Sequence, residues 1–133
     1  MTSNNINIGI VGLGFMAAMH IRAYRQIDNV TVAAICDLDP ERLKGDFTAA
    51  LGNIDSGDPV ILDMSQVKAY QDFNDLLADE SIDVIDICTP TRTHLRMTKP
   101  ALASGKHVIC EKPLAREIAE AREIAEAASQ AKG

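Results

Sequence analysis

Four groups of residues in this chain could do chemistry together. The first is Gly12-Leu13-Gly14-Phe15-Met16-Ala17, a G-x-G-x-x-A run. Gly12 permits a tight turn, and Gly14, lacking a Cβ, lets a pyrophosphate come close to the backbone. Ala17 stands where a third glycine would be and is still small enough for close helix–strand packing. Phe15 and Met16 open a helix whose first N–H groups lack intrahelical partners and carry the positive end of its dipole, which suits a phosphate. The second group is Asp37, about two dozen residues past Gly12, where an acid can accept hydrogen bonds from ribose hydroxyls. The third is Thr89-Pro90 followed by His94, and the fourth is Glu111-Lys112-Pro113.

The elements that must hold these groups are legible from the apolar pattern. Ile6, Ile8, Ile10 and Val11 form a short strand ahead of the glycines. Ala17, Ala18, Ile21, Tyr24 and Ile27 recur at helical spacing after them, which predicts a helix over 15–27. Residues 30–36 run almost wholly apolar, as in a strand buried on both faces of a parallel sheet, and end at Asp37. Asp39-Pro40-Glu41 has the pattern of a helix start, with a helix running to about Leu51 and stopping at Gly52. Residues 53–65 read as a long surface loop with a small apolar island at Val60-Ile61-Leu62. A short strand over 67–70, a short helix over 72–78 and a fourth strand over 82–88 follow. Asp86 interrupts that strand and needs a partner if buried, and the sequence shows none.

Thr89–His94 leaves the end of this strand into a helix reaching about Ala103, with a kink expected at Pro100 and a cap at Ser104-Gly105. Residues 107–110 form the fifth strand, ending at Glu111. A helix from Leu114 to about Ala131 closes the order, with Leu114, Ile118, Ala121, Ala125 and Ala128 along its apolar face. Strand–helix alternation of this kind predicts an α/β, doubly wound parallel sheet of Rossmann type, with strand order 3-2-1-4-5. All four groups then fall at the C-terminal edge of one sheet.

Composition narrows the partners. The 133 residues carry a net charge of −6 and no basic cluster, which argues against nucleic acid. No apolar run approaches the roughly 20 residues a membrane span needs. The opening MTSNNIN has no basic or apolar leader region, and Cys36, Cys88 and Cys110 each end a strand. No C-x-x-C or Cys/His spacing suggests a metal. Three reduced thiols in a cytoplasmic protein are therefore expected. Cys88 and Cys110 would sit at the strand ends that form a cleft.

The combination resembles the glucose–fructose oxidoreductase / inositol dehydrogenase family, also called Gfo/Idh/MocA. The resemblance rests on Gly12–His20, on Ile87-Cys88-Thr89-Pro90 with His94, and on Ser104–Val108 leading into Glu111-Lys112-Pro113-Leu114-Ala115. It implies a nicotinamide-dependent oxidoreductase acting on a sugar, polyol or similar carbinol. Lys112 would be the catalytic residue, bonded to the substrate oxygen, with partial burial able to shift its pKa. Gly12, Gly14, Phe15, Met16, Asp37, Thr89, Pro90, His94, Glu111 and Lys112 would surround the cofactor, with Glu111 at the nicotinamide or its ribose. The Lys112–Pro113 bond would be a candidate for the cis form. His20 and His94 match the pattern in packing or helix-start roles rather than catalytic ones. The family's asparagine after the Thr-Pro pair is Thr91 here.

Asp37 favours NAD over NADP, because a carboxylate accepts ribose hydroxyls but repels a 2′-phosphate. Members of the family carry a second domain with most of the substrate pocket and the oligomer interface. Residues 1–133 are accordingly expected to be the dinucleotide-binding domain alone, either a fragment of a longer enzyme or a natural short form, binding NAD without turnover, the full-length enzyme being a homo-oligomer. A non-catalytic nicotinamide sensor of the same fold is the alternative, and a methyltransferase a third reading in which Glu111-Lys112-Pro113 has no task.

Overall fold

The computed structural model describes residues 4–50 and 57–133. Five parallel strands form one sheet in the order β3-β2-β1-β4-β5. They are β1 (Ile6–Val11), β2 (Val30–Cys36), β3 (Lys68–Tyr70), β4 (Val84–Ile87) and β5 (His107–Cys110). The helices are α1 (Phe15–Tyr24), α2 (Phe73–Ala78), α3 (His94–Ala103) and α4 (Ile118–Gln130). This is the doubly wound order expected from the alternation of elements.

Alternate residues of the strands bury opposite ways, so the sheet has two covered faces. Ile8, Ile10 and Ile35 pack with Ala17, Ala18 and Ile21 of α1 on one side. Val11, Ala34, Cys36, Ile85 and Ile87 pack with Leu76 of α2 and Ala101 of α3 on the other. A strand buried on both faces has no polar alternation, which is why β2 reads as a continuous apolar run.

Register places the strand ends level. Val11 lies beside Cys36 on one side and Ile87 on the other, and Ile87 lies beside Cys110. The residue that follows each of four strands then donates one further bond to its neighbour. Gly12 N–H bonds Cys36 O at 2.9 Å, Asp37 N–H bonds Tyr70 O at 3.2 Å, Cys88 N–H bonds Val11 O at 2.9 Å and Glu111 N–H bonds Ile87 O at 3.0 Å. All four groups picked out above therefore leave from one C-terminal rim.

Several boundaries differ from expectation. After Asp39-Pro40-Glu41 there is only a single 3-10 turn, Arg42–Lys44, closed by Gly45 at φ 76°. That left-handed residue sends the chain back across the sheet, where Asp46 bridges Ile61 in antiparallel sense. Phe47 N–H bonds Val60 O and Leu62 N–H bonds Gly45 O, both at 2.9 Å. Two of the three residues of the apolar island are thus core: Val60 and Leu62 are buried with Phe47 against the α1 face, and Ile61 between them is exposed. The proposed end of that helix at Leu51-Gly52 lies outside the described residues.

The last helix begins at Ile118, four residues later than expected, and turns a different face inward. Ile124 is buried, whereas Ile118 is 74% exposed. α4 packs on α3, with Lys99 and Glu123 paired at 3.1 Å across them. α1 likewise ends at Tyr24 rather than Ile27, and Ile27 is exposed. Pro100 sits inside α3, which runs unbroken from His94 to Ala103.

Candidate functional site: a crevice at the C-terminal rim

The turn from β1 into α1 is tightly built. Gly12 holds φ at 85°, and a Cβ there would stand 2.7–2.9 Å from Thr89 Cγ2, Thr89 N and the Cys88 carbonyl carbon. Only glycine allows both that backbone conformation and that close approach of β1 to β4. Gly14 is the opposite case: a Cβ there would meet nothing within 4 Å. It is the N-cap of α1, no side chain caps the helix, and its first turn holds no acid. The amides at this helix start face space that a side chain would otherwise take, which fits an anionic group.

Asp37 is held by the backbone on both sides. Its Oδ2 accepts from Leu13 N–H at 2.8 Å and its Oδ1 from Asp39 N–H at 2.9 Å. The carboxylate is thereby fixed beside the glycine turn. Arg42 Nη1 lies 3.7 Å from Asp37 Oδ2, but its side chain is half exposed and the pair is screened.

A cavity of about 590 Å³ opens over these residues. Gly12, Gly14, Phe15, Met16, Asp37, Thr89 and Pro90 line it together, joined by Leu38, Arg42, Gln71, Phe73, Arg92, Arg96 and Met97. Its position between β1 and β4, where the chain order reverses, is where doubly wound sheets take ligands. A larger hollow of about 1070 Å³ lies at the opposite edge. Its one buried cation, Lys106, is spent on the carbonyls of Asp79 and Ile82, each at 2.8 Å.

The Thr-Pro turn is braced internally. Thr93 Oγ1 donates to Pro90 O at 2.7 Å and lies 2.6 Å from Thr89 Oγ1. His94 lies outside the cavity lining, contrary to the cofactor contact expected of it. It is 1% exposed, with Nε2 2.9 Å from Thr89 O and Nδ1 3.0 Å from Pro113 O. It ties the Thr89 loop to the Pro113 loop from a buried position.

Glu111-Lys112-Pro113 leaves β5 on the same rim, and the Lys112–Pro113 peptide is cis. Lys112 is exposed rather than half-buried, and its backbone N–H bonds Glu111 Oε2 at 3.2 Å. Neither residue lines the cavity described above.

Sequence reasoning missed a polar cluster beneath this rim. Asp86 is fully buried in β4, and its Oδ2 accepts from Tyr24 Oη at 2.7 Å and lies 2.7 Å from His20 Nδ1. His20 Nε2 lies 2.8 Å from Glu111 Oε1. The unexplained acid of strand four and the histidine of the first motif are each other's partners. Asp86 was the available signal: a carboxylate inside a buried strand demands a donor.

His20, Asp86 and Cys88 also bring one donor atom each within 4.8 Å of one another. His20 Nδ1 is already engaged by Asp86, which accounts for the grouping without an ion. The cysteines are free. Burial pushes the Cys36 thiol up to about 12 and also raises the Cys88 thiol, with Asp86 adding to the effect there. Neither supplies a thiolate near neutral pH, although both line the cavity. Cys110, expected there too, does not.

A parallel doubly wound sheet with a glycine turn, an oriented acid and a crevice at its switch point defines a dinucleotide-binding domain. The chain belongs to the family described as "Oxidoreductase family, NAD-binding Rossmann fold" (GFO_IDH_MocA), whose model matches residues 6–133. It is 30% identical over 122 residues to D-apiose dehydrogenase of Paraburkholderia graminis, covering 92% of this chain and 29% of that protein. It is 29% identical over 126 residues to myo-inositol 2-dehydrogenase of Thermotoga maritima, covering 95% and 34%. Among solved structures, an oxidoreductase from Agrobacterium radiobacter in complex with NAD+, L-tartaric acid and magnesium superposes with a TM-score of 0.77 at 28% identity, over 95% of this chain and 33% of that one. The chain spans about a third of the length of these relatives.

Proposed function

We propose that the crevice holds NAD and that the 133 residues are the cofactor half of a dehydrogenase acting on a sugar, polyol or similar carbinol. One observation carries the reading: the open space over Gly14 and the backbone-fixed Asp37 carboxylate share one cavity at the switch point of the sheet. The uncapped start of α1, with Phe15 and Met16, takes the pyrophosphate, and Gly12 keeps the turn low enough for it. Asp37 retains free lone pairs for the adenosine ribose hydroxyls, and its negative charge disfavours a 2′-phosphate. Thr89 and Pro90 border the nicotinamide-ribose side. The bound cofactor supplies a hydride acceptor, which these side chains do not. Glu111 and Lys112 stand at the nicotinamide end. An exposed Lys112 ammonium on a fixed turn can donate a hydrogen bond to the substrate oxygen and stabilise the negative charge that builds there as the hydroxyl proton passes to water. The D-apiose and inositol dehydrogenases named above support the substrate class.

We assign substrate selection and subunit contacts to the remainder of the longer protein, because relatives are about three times the length of this chain. Three free thiols support a reducing, cytoplasmic setting for that protein, and we take its complete form to be a homo-oligomer.

Calorimetric titration of the chain with NAD, NADP and S-adenosylmethionine in parallel tests the reading. NAD is expected to bind, NADP more weakly and S-adenosylmethionine not at all. Tighter binding of NADP would overturn the role given to Asp37. In the full-length protein, Lys112→Ala should abolish turnover while NAD still binds; unchanged oxidation rates would remove Lys112 from the chemistry.

A further inference from the structure

We infer that His20 is a positioning residue: clamped between Asp86 and Glu111, it sets the Glu111-Lys112 turn against the crevice through a chain of hydrogen bonds that begins inside the sheet. The inference rests on the reading that this turn lies at the nicotinamide end of the site. The geometry runs without a gap. Asp86 is buried in β4 and fixed by Tyr24 Oη on the same oxygen that faces His20 Nδ1, both at 2.7 Å. His20 Nε2 reaches Glu111 Oε1 at 2.8 Å, and the other oxygen of Glu111 accepts the backbone N–H of Lys112 at 3.2 Å. One carboxylate thus holds the catalytic turn by its own backbone and is itself held from below. The Tyr24 ring meets the imidazole edge-on, 6.2 Å between centroids, and limits its rotation.

Two carboxylates facing two ring nitrogens call for a proton on each nitrogen, so the clamp is an imidazolium. The groups around it are Tyr24 from its own helix, Asp86 and Cys88 from β4 and its end, and Glu111 from the end of β5. The hydrogen bond to Asp86 raises the His20 pKa above the ordinary 6.5 against the opposing effect of burial, and Glu111 adds to the rise. With the Nδ1 proton held by the stronger bond to buried Asp86, loss of the Nε2 proton would set a lone pair against the Glu111 carboxylate and release it. A structural histidine buried for packing alone would have no such dependence.

The experiment has two arms on the chain itself. In the first, ligand-free protein labelled with 15N-histidine is titrated by NMR, the His20 signals being assigned by their absence in His20→Gln. Both ring nitrogens are expected to stay protonated above pH 6.5, and Glu111→Gln and Asp86→Asn each to lower the transition by about one pH unit. A Glu111→Gln titration identical to wild type overturns the inference. In the second arm, NAD affinity is measured from neutral to alkaline pH. Wild type should weaken by about tenfold as His20 loses its proton, and His20→Gln should bind at the weaker level throughout. A His20→Gln profile that matches wild type overturns the inference as well. If His20→Gln does not fold, Glu111→Gln decides the matter through the first arm. A wild-type chain that binds no NAD at any pH defeats the cofactor reading of the crevice, and leaves the clamp to be decided by the ligand-free titration.

Discussion

Gly12 and Gly14 sit two residues apart and should answer substitution in opposite ways. Gly12→Ala forces a left-handed backbone on a residue with a Cβ and drives that Cβ into the Cys88–Thr89 backbone. It is expected to cost about 1–3 kcal/mol of stability and to open the β1–β4 junction. Gly14→Ala meets no protein atom, so thermal unfolding should be nearly unchanged while NAD affinity falls. Thermal denaturation and calorimetry on the two variants check the contrast; a Gly14→Ala chain that binds NAD normally would remove the close-approach argument. The glycine turn and Asp37 could be found by reading along the chain, because their spacing is local to one β-α-β unit. The His20–Asp86–Glu111 cluster could not. Its members lie 66 and 91 residues apart, and only the pairing of β1 with β4 and β4 with β5 brings them together. His94, for which the sequence offers both a packing role and a place beside the cofactor, shows the packing role here. A histidine at a helix start next to a motif looks the same in sequence whether its nitrogens face a ligand or, as here, the carbonyls of two loops.

At the scale of elements, type and order were readable and ends were not. The strands announce themselves because burial on both faces keeps their middles mostly apolar, Asp86 of β4 being the charged exception. The Arg42–Lys44 turn shows the opposite case. Asp39-Pro40-Glu41 is a competent helix start, but Phe47, Val60 and Leu62 gain more by closing the core over α1 than a surface helix would gain from its caps. For α4, the alanine-rich sequence leaves the buried stripe underdetermined, and Ile124 rather than Ile118 wins the contact with α3. Ile124→Ala should therefore destabilise the chain by about 2–4 kcal/mol, and Ile118→Ala should be close to neutral. Lys106 joins the starts of β4 and β5 through two carbonyls. Lys106→Met takes the ammonium from the Ile82 carbonyl and leaves the Asp79 carbonyl only the Ile82 N–H at 3.2 Å, with an expected loss of about 1–3 kcal/mol in urea denaturation.

Over the whole molecule, two clusters bracket the pH range of stability. Asp79 is held well below the usual carboxylate range by Lys68 and Ser81, with Tyr70 adding. Its contribution is present above 3.8 and lost as pH falls below that value. His20 is shifted upward, so its contribution is complete below 6.5 and lost as pH rises through the raised value. Urea midpoints should form a plateau between those limits and decline on both sides. Asp79→Asn should flatten the acid arm and His20→Gln the alkaline arm. A decline on the alkaline side that persists in His20→Gln would place its cause elsewhere.

The extra bonds donated by Gly12, Asp37, Cys88 and Glu111 have a thermodynamic consequence for the crevice. Each loop departs from a peptide already locked to the neighbouring strand, so a dinucleotide arriving there has little backbone left to freeze. Its affinity is then spent on contacts instead of on ordering the receptor. In hydrogen–deuterium exchange those four amides should already be among the slowest in the free chain, and adding NAD should slow them little further.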